Sequence, residues 1–299
     1  MAYLNPTSVE RNMSLRLMKN KLSKWLFTIA MCFCFIVLMV LLYQVILDGK
    51  DWINLEFLLN KASTDPDKAG ILGALLGTMW LMLVVAPTTM ILGVASAIYL
   101  ELYMRKGRFR SLIQSNIANL AGVPSVVYGI LGMTVFGQML GMENIVLAGA
   151  LTMTLLILPI TIVASQEALR AVPSHLKEAS FGMGATKWQT IRRVMLPVAL
   201  PSILTGGILA LSRAIGETAP LIVLGIPALI IPLPNGIFDT FTVLPVQIYY
   251  WTLDSTMIRE YAGLAAATII VLLICMLVLN ITAIIIRYKF QKIKEEGVI

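Results

Sequence analysis

Arg213 and Glu217 stand four residues apart within a long apolar stretch, in the run Ser212-Arg213-Ala214-Ile215-Gly216-Glu217-Thr218-Ala219-Pro220. That spacing puts both on one face of a helix. A guanidinium stays protonated and presents a planar fork of donors that matches phosphate or another oxyanion. Translocon scales set the cost of a central arginine at roughly 2.5–3.5 kcal/mol. A residue kept there against that cost faces a partner or a water-filled path. Two uses of the pair stay open on these grounds. The charges can pair and hold helices together. Alternatively, Arg213 offers positive charge to an anion crossing the membrane, and Glu217 offsets it so that the anion is released. The two are compatible, because an arriving anion can open the pair. Gly216 and Pro220 loosen a helix here, as in other transport helices.

A second group lies in the polar segment 165–197. Pro173-Ser174 starts a helix, and Glu178 is expected in its first turn, where a carboxylate favours the positive end. Gly182 and Gly184 end or bend that helix. Thr186 caps a second one carrying Trp188 and Ile191. Short helix, glycine turn, short helix makes a knob that fits a groove on a partner protein. The plainer alternative is a bare connection, but connections are usually far shorter.

The elements that must position these residues follow from composition. The chain has 299 residues, 58% hydrophobic and 13% charged, with mean hydropathy +0.85. Soluble domains are nearer about 45–50% apolar and roughly 25% charged. The hydrophobic runs predict an all-α membrane protein with six spans, near 25–47, 71–98, 116–137, 144–164, 201–226 and 261–286. Residues 1–24 form an N-terminal segment, and 25–299 form one transmembrane domain with its polar loop at about 165–200. No strand alternation long enough for a barrel occurs. The first apolar run, Trp25 to Leu47, is too long for a cleavable signal core and reads as a retained span.

Of 23 Lys and Arg, eighteen fall in the N-terminal tail, the 101–110 loop, the 165–197 segment and the C-terminal tail. Four fall on the other side, and Arg213 lies inside a span. The positive-inside rule then puts both termini and the 165–197 segment in the cytoplasm. The same distribution argues against nucleic acid, despite a net charge of +7, and leaves membrane lipid as the surrounding medium.

Several chemistries are missing. Cys32, Cys34 and Cys275 sit in apolar stretches as small hydrophobes, and His175 is the single histidine, so no metal site is expected. There is no GxxxxGK[ST] loop for ATP and no Ser/His/Asp set. Trp251, Tyr249 and Tyr250, in the Pro-rich 227–259 segment, read as an interfacial aromatic belt. A sharper reading makes that segment a docking surface or re-entrant gate, with Asp239 and Asp254 meeting a partner. Residues 9–22 read as a surface amphipathic helix.

Glu178-Ala179-Ser180-x-x-x-Gly184-Ala185, followed by Leu196-Pro197-x-x-x-Pro201, resembles the EAA loop of ABC-importer permeases, with Ser180 in place of an alanine. That resemblance implies a MetI-like permease fold, and coupling helices, here including Gly182 and Trp188, that dock on a separate ATPase. The run Gly122-Val123-Pro124-Ser125-Val126-Val127-Tyr128-Gly129 and the Arg213–Pro220 segment resemble phosphate-specific members. Phe241-Thr242-Val243-Leu244-Pro245-Val246-Gln247-Ile248-Tyr249 is similar to the PstA type rather than the PstC type. The resemblance implies a phosphate importer of the bacterial inner membrane with no cofactor in this chain. ATP and Mg would be bound by a dimeric ATPase of the PstB type. A second permease of the PstC type and a phosphate-binding protein of the PstS type complete the set. An importer for phosphonate, molybdate or sulfate, and a secondary anion transporter, are the competing readings.

Overall fold

The computed structural model describes residues 6–228 and 232–295. Long helices dominate, as they must where lipid offers the backbone no hydrogen-bond partner. They are α1 (Pro6–Gly49), α2 (Leu55–Leu59), α3 (Leu72–Ile98), α4 (Arg108–Leu120), α5 (Ser125–Gly132), α6 (Val146–Arg170), α7 (Ser174–Gly182), α8 (Lys187–Thr190), α9 (Leu196–Gly216), α10 (Ala219–Val223), α11 (Leu244–Asp254) and α12 (Glu260–Glu295). Three wider π-turns extend them: Tyr99–Tyr103 after α3, Met133–Met139 after α5, and Ile191–Met195 between α8 and α9. Apart from one isolated bridge, Ile145 to Thr240, no β-pairing occurs among the described residues.

Among the described residues, five helical runs are long and apolar enough to cross a membrane: Arg16–Trp52, Leu72–Tyr103, Val146–Arg170, Lys187–Gly216 and Glu260–Tyr288. The sixth expected span, 116–137, is not one straight helix. α4 and the α5 run meet at 97° across a break of four residues, 121–124. Gly122 and Pro124 fall in that break, and the proline disfavours helical geometry in the residue before it. Helix α1 begins at Pro6 and runs unbroken to Gly49, so that residues 6–24 and the first expected span share one helix. The amphipathic reading of 9–22 rests in part on side chains outside the described residues.

Helix α6 is the central element, with two thirds of its apolar window buried, whereas none of that of α1 is. Val146, Ala148, Ala150 and Met153 of α6 are fully enclosed among Val85 of α3, Phe241 and Ile226. A second cluster joins α2, α11 and α12 through Phe57, Leu244, Trp251, Tyr261 and Leu264. Trp251 is 3% exposed, with its ring centroid 6.3 Å from that of Phe57 and 6.4 Å from that of Tyr261. The belt reading therefore fails for Trp251, which is a core residue. Tyr249 remains exposed, edge-on to Tyr250.

Candidate functional site: a broken helix and a protruding hairpin

Helix α9 stops at Gly216, well short of the expected end of its span at 226. Glu217 has an extended backbone (φ −76°, ψ 117°), and its N–H donates to the Ala214 carbonyl. The chain then re-forms one short helix, α10, with Pro220 near its start. Arg213 thus occupies the last turn of α9, where the free carbonyls favour a cation. Its Nε donates to Glu217 Oε1 at 3.0 Å. Both charges belong to one helix end, so their pairing does not join two helices, and the helix-holding version of the ion-pair reading loses its basis.

The depth of this break follows from packing. Helices α6 and α9 run antiparallel, with Ala168 and Leu169 near Ala199 and Ile203, and Gly206 against Ala164. Carried along that register, Arg213 comes level with Ile157, near the middle of α6 (Val146–Arg170). The Arg213 side chain is 57% exposed and that of Glu217 18%. The arginine therefore faces away from its own chain at mid-depth, and the carboxylate lies behind it. The break is held from the other side by α5. A Cβ on Gly129 would meet the Pro220 Cα and carbonyl oxygen at 2.8 Å each. Only glycine lets α10 pass this close.

At the other end of α9 lies the hairpin. Residues 165–170 belong to α6, so the connection proper is shorter than the 165–197 segment. Helix α7 begins at Ser174 and ends at Gly182, and Gly184 takes φ +81°, which glycine adopts without strain. Glu178 lies beyond the first turn of α7, which carries no acidic residue. It is an exposed-face residue of the second turn, not a dipole partner. Thr186 caps α8 with a full capping box: Thr186 Oγ1 accepts from the Gln189 N–H, and Gln189 Oε1 accepts from the Thr186 N–H. Ala179 and Ala185 keep the turn small, and the Ala185 N–H donates to the Ser180 carbonyl. Ser180, which stands where the family pattern has alanine, is buried, with its hydroxyl 2.9 Å from that of Thr190. The substitution adds a bond between the two hairpin helices. Phe181, Met183 and Trp188 lie exposed on the knob.

A charge cluster unmarked in the sequence lies at the root of the hairpin. Glu101 Oε2 accepts from Arg110 Nη2 at 2.5 Å and from Arg170 Nε at 3.0 Å, and Arg170 Nη1 also reaches Glu167 Oε1 at 2.8 Å. Its side chain is 15% exposed, and that of Arg110 is 9%. The available signal was one carboxylate at the end of a span, facing a loop with four cations. Lys187 Nζ, at the start of α8, stands 4.6 Å from the centroid of the Tyr103 ring. At the opposite end of the molecule, Asp254 lines a cavity of about 470 Å³ with Thr64, Gln247, Tyr250 and Tyr261. Asp239 is exposed, and its carboxylate accepts from the Asn235 N–H at 2.8 Å. Lys68 and the Asp67 N–H hold the Asp65 carboxyl below the usual carboxylate range.

Residues 89–291 match the family of binding-protein-dependent transport system inner membrane components. The chain belongs to that family. It is 30% identical over 280 residues to the probable ABC transporter permease protein YqgI of Bacillus subtilis, covering 90% of this chain and 95% of that one. It is also 30% identical over 286 residues to the phosphate transport system permease protein PstA of Yersinia pestis, covering 92% of each. Among solved structures, a bacterial alginate ABC transporter, in complex with its alginate-bound periplasmic protein, has a chain that superposes with TM-score 0.62 at 16% identity. The match covers 90% of this chain and 96% of that one. The fold is that of ABC-importer permeases, as the hairpin residues led one to expect. The permease is a multi-pass membrane subunit, and nucleotide hydrolysis in this family belongs to a separate chain.

Proposed function

We propose that this permease is one membrane subunit of an ATP-driven, binding-protein-dependent importer of inorganic phosphate. The observation that carries the reading is Arg213, a guanidinium at mid-depth whose one ion partner among the described residues is Glu217. The likeness to a phosphate permease over nearly its whole length supports phosphate as the anion. In this reading Arg213 faces the seam with a second permease of the PstC type, and phosphate passes along that seam. A PstS-type protein delivers phosphate outside. Two PstB-type ATPase subunits, binding ATP and Mg, take the Glu178–Trp188 hairpin in a groove. Both termini lie in the cytoplasm, in accord with the distribution of Lys and Arg.

The mechanism follows from continuity of the helix. Lys187 to Gly216 is one helical run of 30 residues, roughly 45 Å at 1.5 Å per residue. ATPase closure moves α8, and the run delivers that movement to its far end, where Arg213 and Glu217 stand. A phosphate that approaches Arg213 competes with Glu217 for the guanidinium donors. When the anion has passed, Glu217 retakes them, so the site does not trap its cargo. Gly216 and the α10 turn let this end rearrange without disturbing α6. Coupling of this kind uses rigid elements with two discrete arrangements.

The test is uptake of labelled phosphate by cells lacking the chain, and again with it restored, with excess sulfate or phosphonate as competitor. The expected result is uptake that needs the chain and resists both competitors. Uptake blocked by sulfate or phosphonate would reassign the cargo, and uptake indifferent to the chain would remove phosphate altogether. In the same cells Glu178→Lys is expected to abolish uptake while the ATPase continues to hydrolyse ATP. Normal uptake by that variant would end the docking role of the hairpin.

A further inference from the structure

We propose that the π-turn Tyr99–Tyr103 grips the coupling hairpin at both of its ends, with Glu101 and Tyr103 as positioning residues that pass hairpin movement into α3. The inference rests on the coupling reading above and adds a second route to the one along α9.

The hairpin has two attachments, and each meets this turn. Arg170 is the last residue of α6 before the hairpin, and Glu101 accepts from it at 3.0 Å. Lys187 is the first residue of α8 after the glycine turn, and its ammonium lies over the Tyr103 ring at 4.6 Å. Two residues of one five-residue turn therefore touch the entrance and the exit of the same projection. Glu101 also takes Arg110 from the start of α4, which fixes the turn against a third element. Single π-turns of this sort recur at functional sites, because the wider turn leaves a helix locally deformable.

Helix α3 has something to deliver at its other end. Thr78 Oγ1 accepts the Leu244 N–H at the start of α11, at 3.0 Å. Trp80 Nε1 donates to the Pro234 carbonyl at 3.1 Å. Between these points α3 packs along α6, with Val85 fully buried. One continuous helix, with Pro87 inside it, thus ties the hairpin root to the segment that lies on the face away from the hairpin. Phosphate-loaded binding protein arriving on that face would reach the ATPases by this route, and ATPase closure would reach that face in return.

The two contacts differ in what they can bear. Glu101 is nearly enclosed, so its loss threatens assembly. Tyr103 is 42% exposed, and a change there tests the route without that risk. The experiment uses the whole complex, with partner permease, ATPases and phosphate-binding protein, in lipid vesicles. It measures ATP hydrolysis with and without phosphate-loaded binding protein, and phosphate accumulated per ATP. Tyr103→Leu and Lys187→Gln are each expected to lower the stimulated rate and the phosphate per ATP by about two- to fivefold, the scale of one partly exposed cation–π contact. Tyr103→Phe and Lys187→Arg keep the ring and the charge and are expected to behave as wild type. Stimulation and phosphate per ATP left intact in both Tyr103→Leu and Lys187→Gln would overturn the proposal. A wild-type complex that phosphate-loaded binding protein does not stimulate would instead overturn the function from which it starts, so the two failures are told apart.

Discussion

Among the described residues, two arginine–carboxylate groupings have opposite designs. Arg213 and Glu217 lie on one helix end, four residues apart, and the arginine is mostly open. Glu101 gathers Arg110 and Arg170 from two other helices, and both it and Arg110 are close to enclosed. An open local pair gains little from its charges, because solvent or a passing ion competes for them. An enclosed cluster between elements cannot lose a member without stranding a charge. The first suits a contact that must open in each cycle, and the second suits one that must hold. Removing one charge from each should separate them. Glu101→Gln leaves Arg110 buried without its anion and is expected to cost about 3–5 kcal/mol. Thermal unfolding of the purified permease complex, or its yield in the membrane, would record that loss. Arg213→Ala removes the mostly open member of its pair and is expected to cost clearly less stability than Glu101→Gln, yet to stop phosphate uptake. Equal losses of stability from the two variants would erase the distinction.

Two glycines sharpen the same contrast between fixed and movable parts of the broken helix. Gly129 lies under Pro220, where added carbon meets backbone that has no rotamer to change. Gly216, at the end of α9, has open space around the position of a Cβ. Gly129→Ala is therefore expected to cost about 1–3 kcal/mol, the range for overpacking a filled contact. It should also shift α10 and, with it, Glu217. Gly216→Ala is expected to stay within about 0.5 kcal/mol, as unobstructed surface changes do. Thermal melts of the two variants side by side check this. A Gly216→Ala variant as unstable as Gly129→Ala would mean that the break is packed as tightly as its support.

What was legible in the sequence was what the chain decides locally. The Thr186 cap, the Gly184 turn and the spacing of Arg213 and Glu217 each involve residues at most four apart, and each can be read from types and offsets. The end of α9 was half legible. Gly216 and Pro220 gave warning, but the hydrophobic run continues to 226, and hydropathy does not register a change of direction. The same limit hid the 97° bend, although Gly122 and Pro124 lay within the expected span. The Glu101 cluster was not legible, since Glu101 and Arg170 are 69 residues apart and nothing local pairs them. Trp251 went astray for a related reason. An aromatic near a span end is equally at home in an interface or a core, and only its neighbours Phe57 and Tyr261 decide. Hydropathy likewise ranks α1 and α6 alike, whereas packing makes one a flank and the other the centre.

The finest test of the holding design lies within the hairpin. Ser180→Ala restores the residue of the family pattern and removes one hydroxyl from a buried pair. Thr190 is not stranded by the change, because its own hydroxyl still donates to the Thr186 carbonyl at 3.1 Å. The loss is then one neutral hydrogen bond with no orphaned partner, about 0.5–1.5 kcal/mol. Thr190→Val removes the same bond from the other side and the Thr186 contact as well, so it should cost more. Combined in a double-mutant cycle, the two changes should fall short of additivity by the energy of the shared bond. Phosphate accumulated per ATP would report whether that bond stiffens the knob against the ATPase. Full additivity of the two changes would mean that α7 and α8 are held together by the glycine turn and apolar contacts alone, and that Ser180 is a tolerated departure from alanine with no part in holding them.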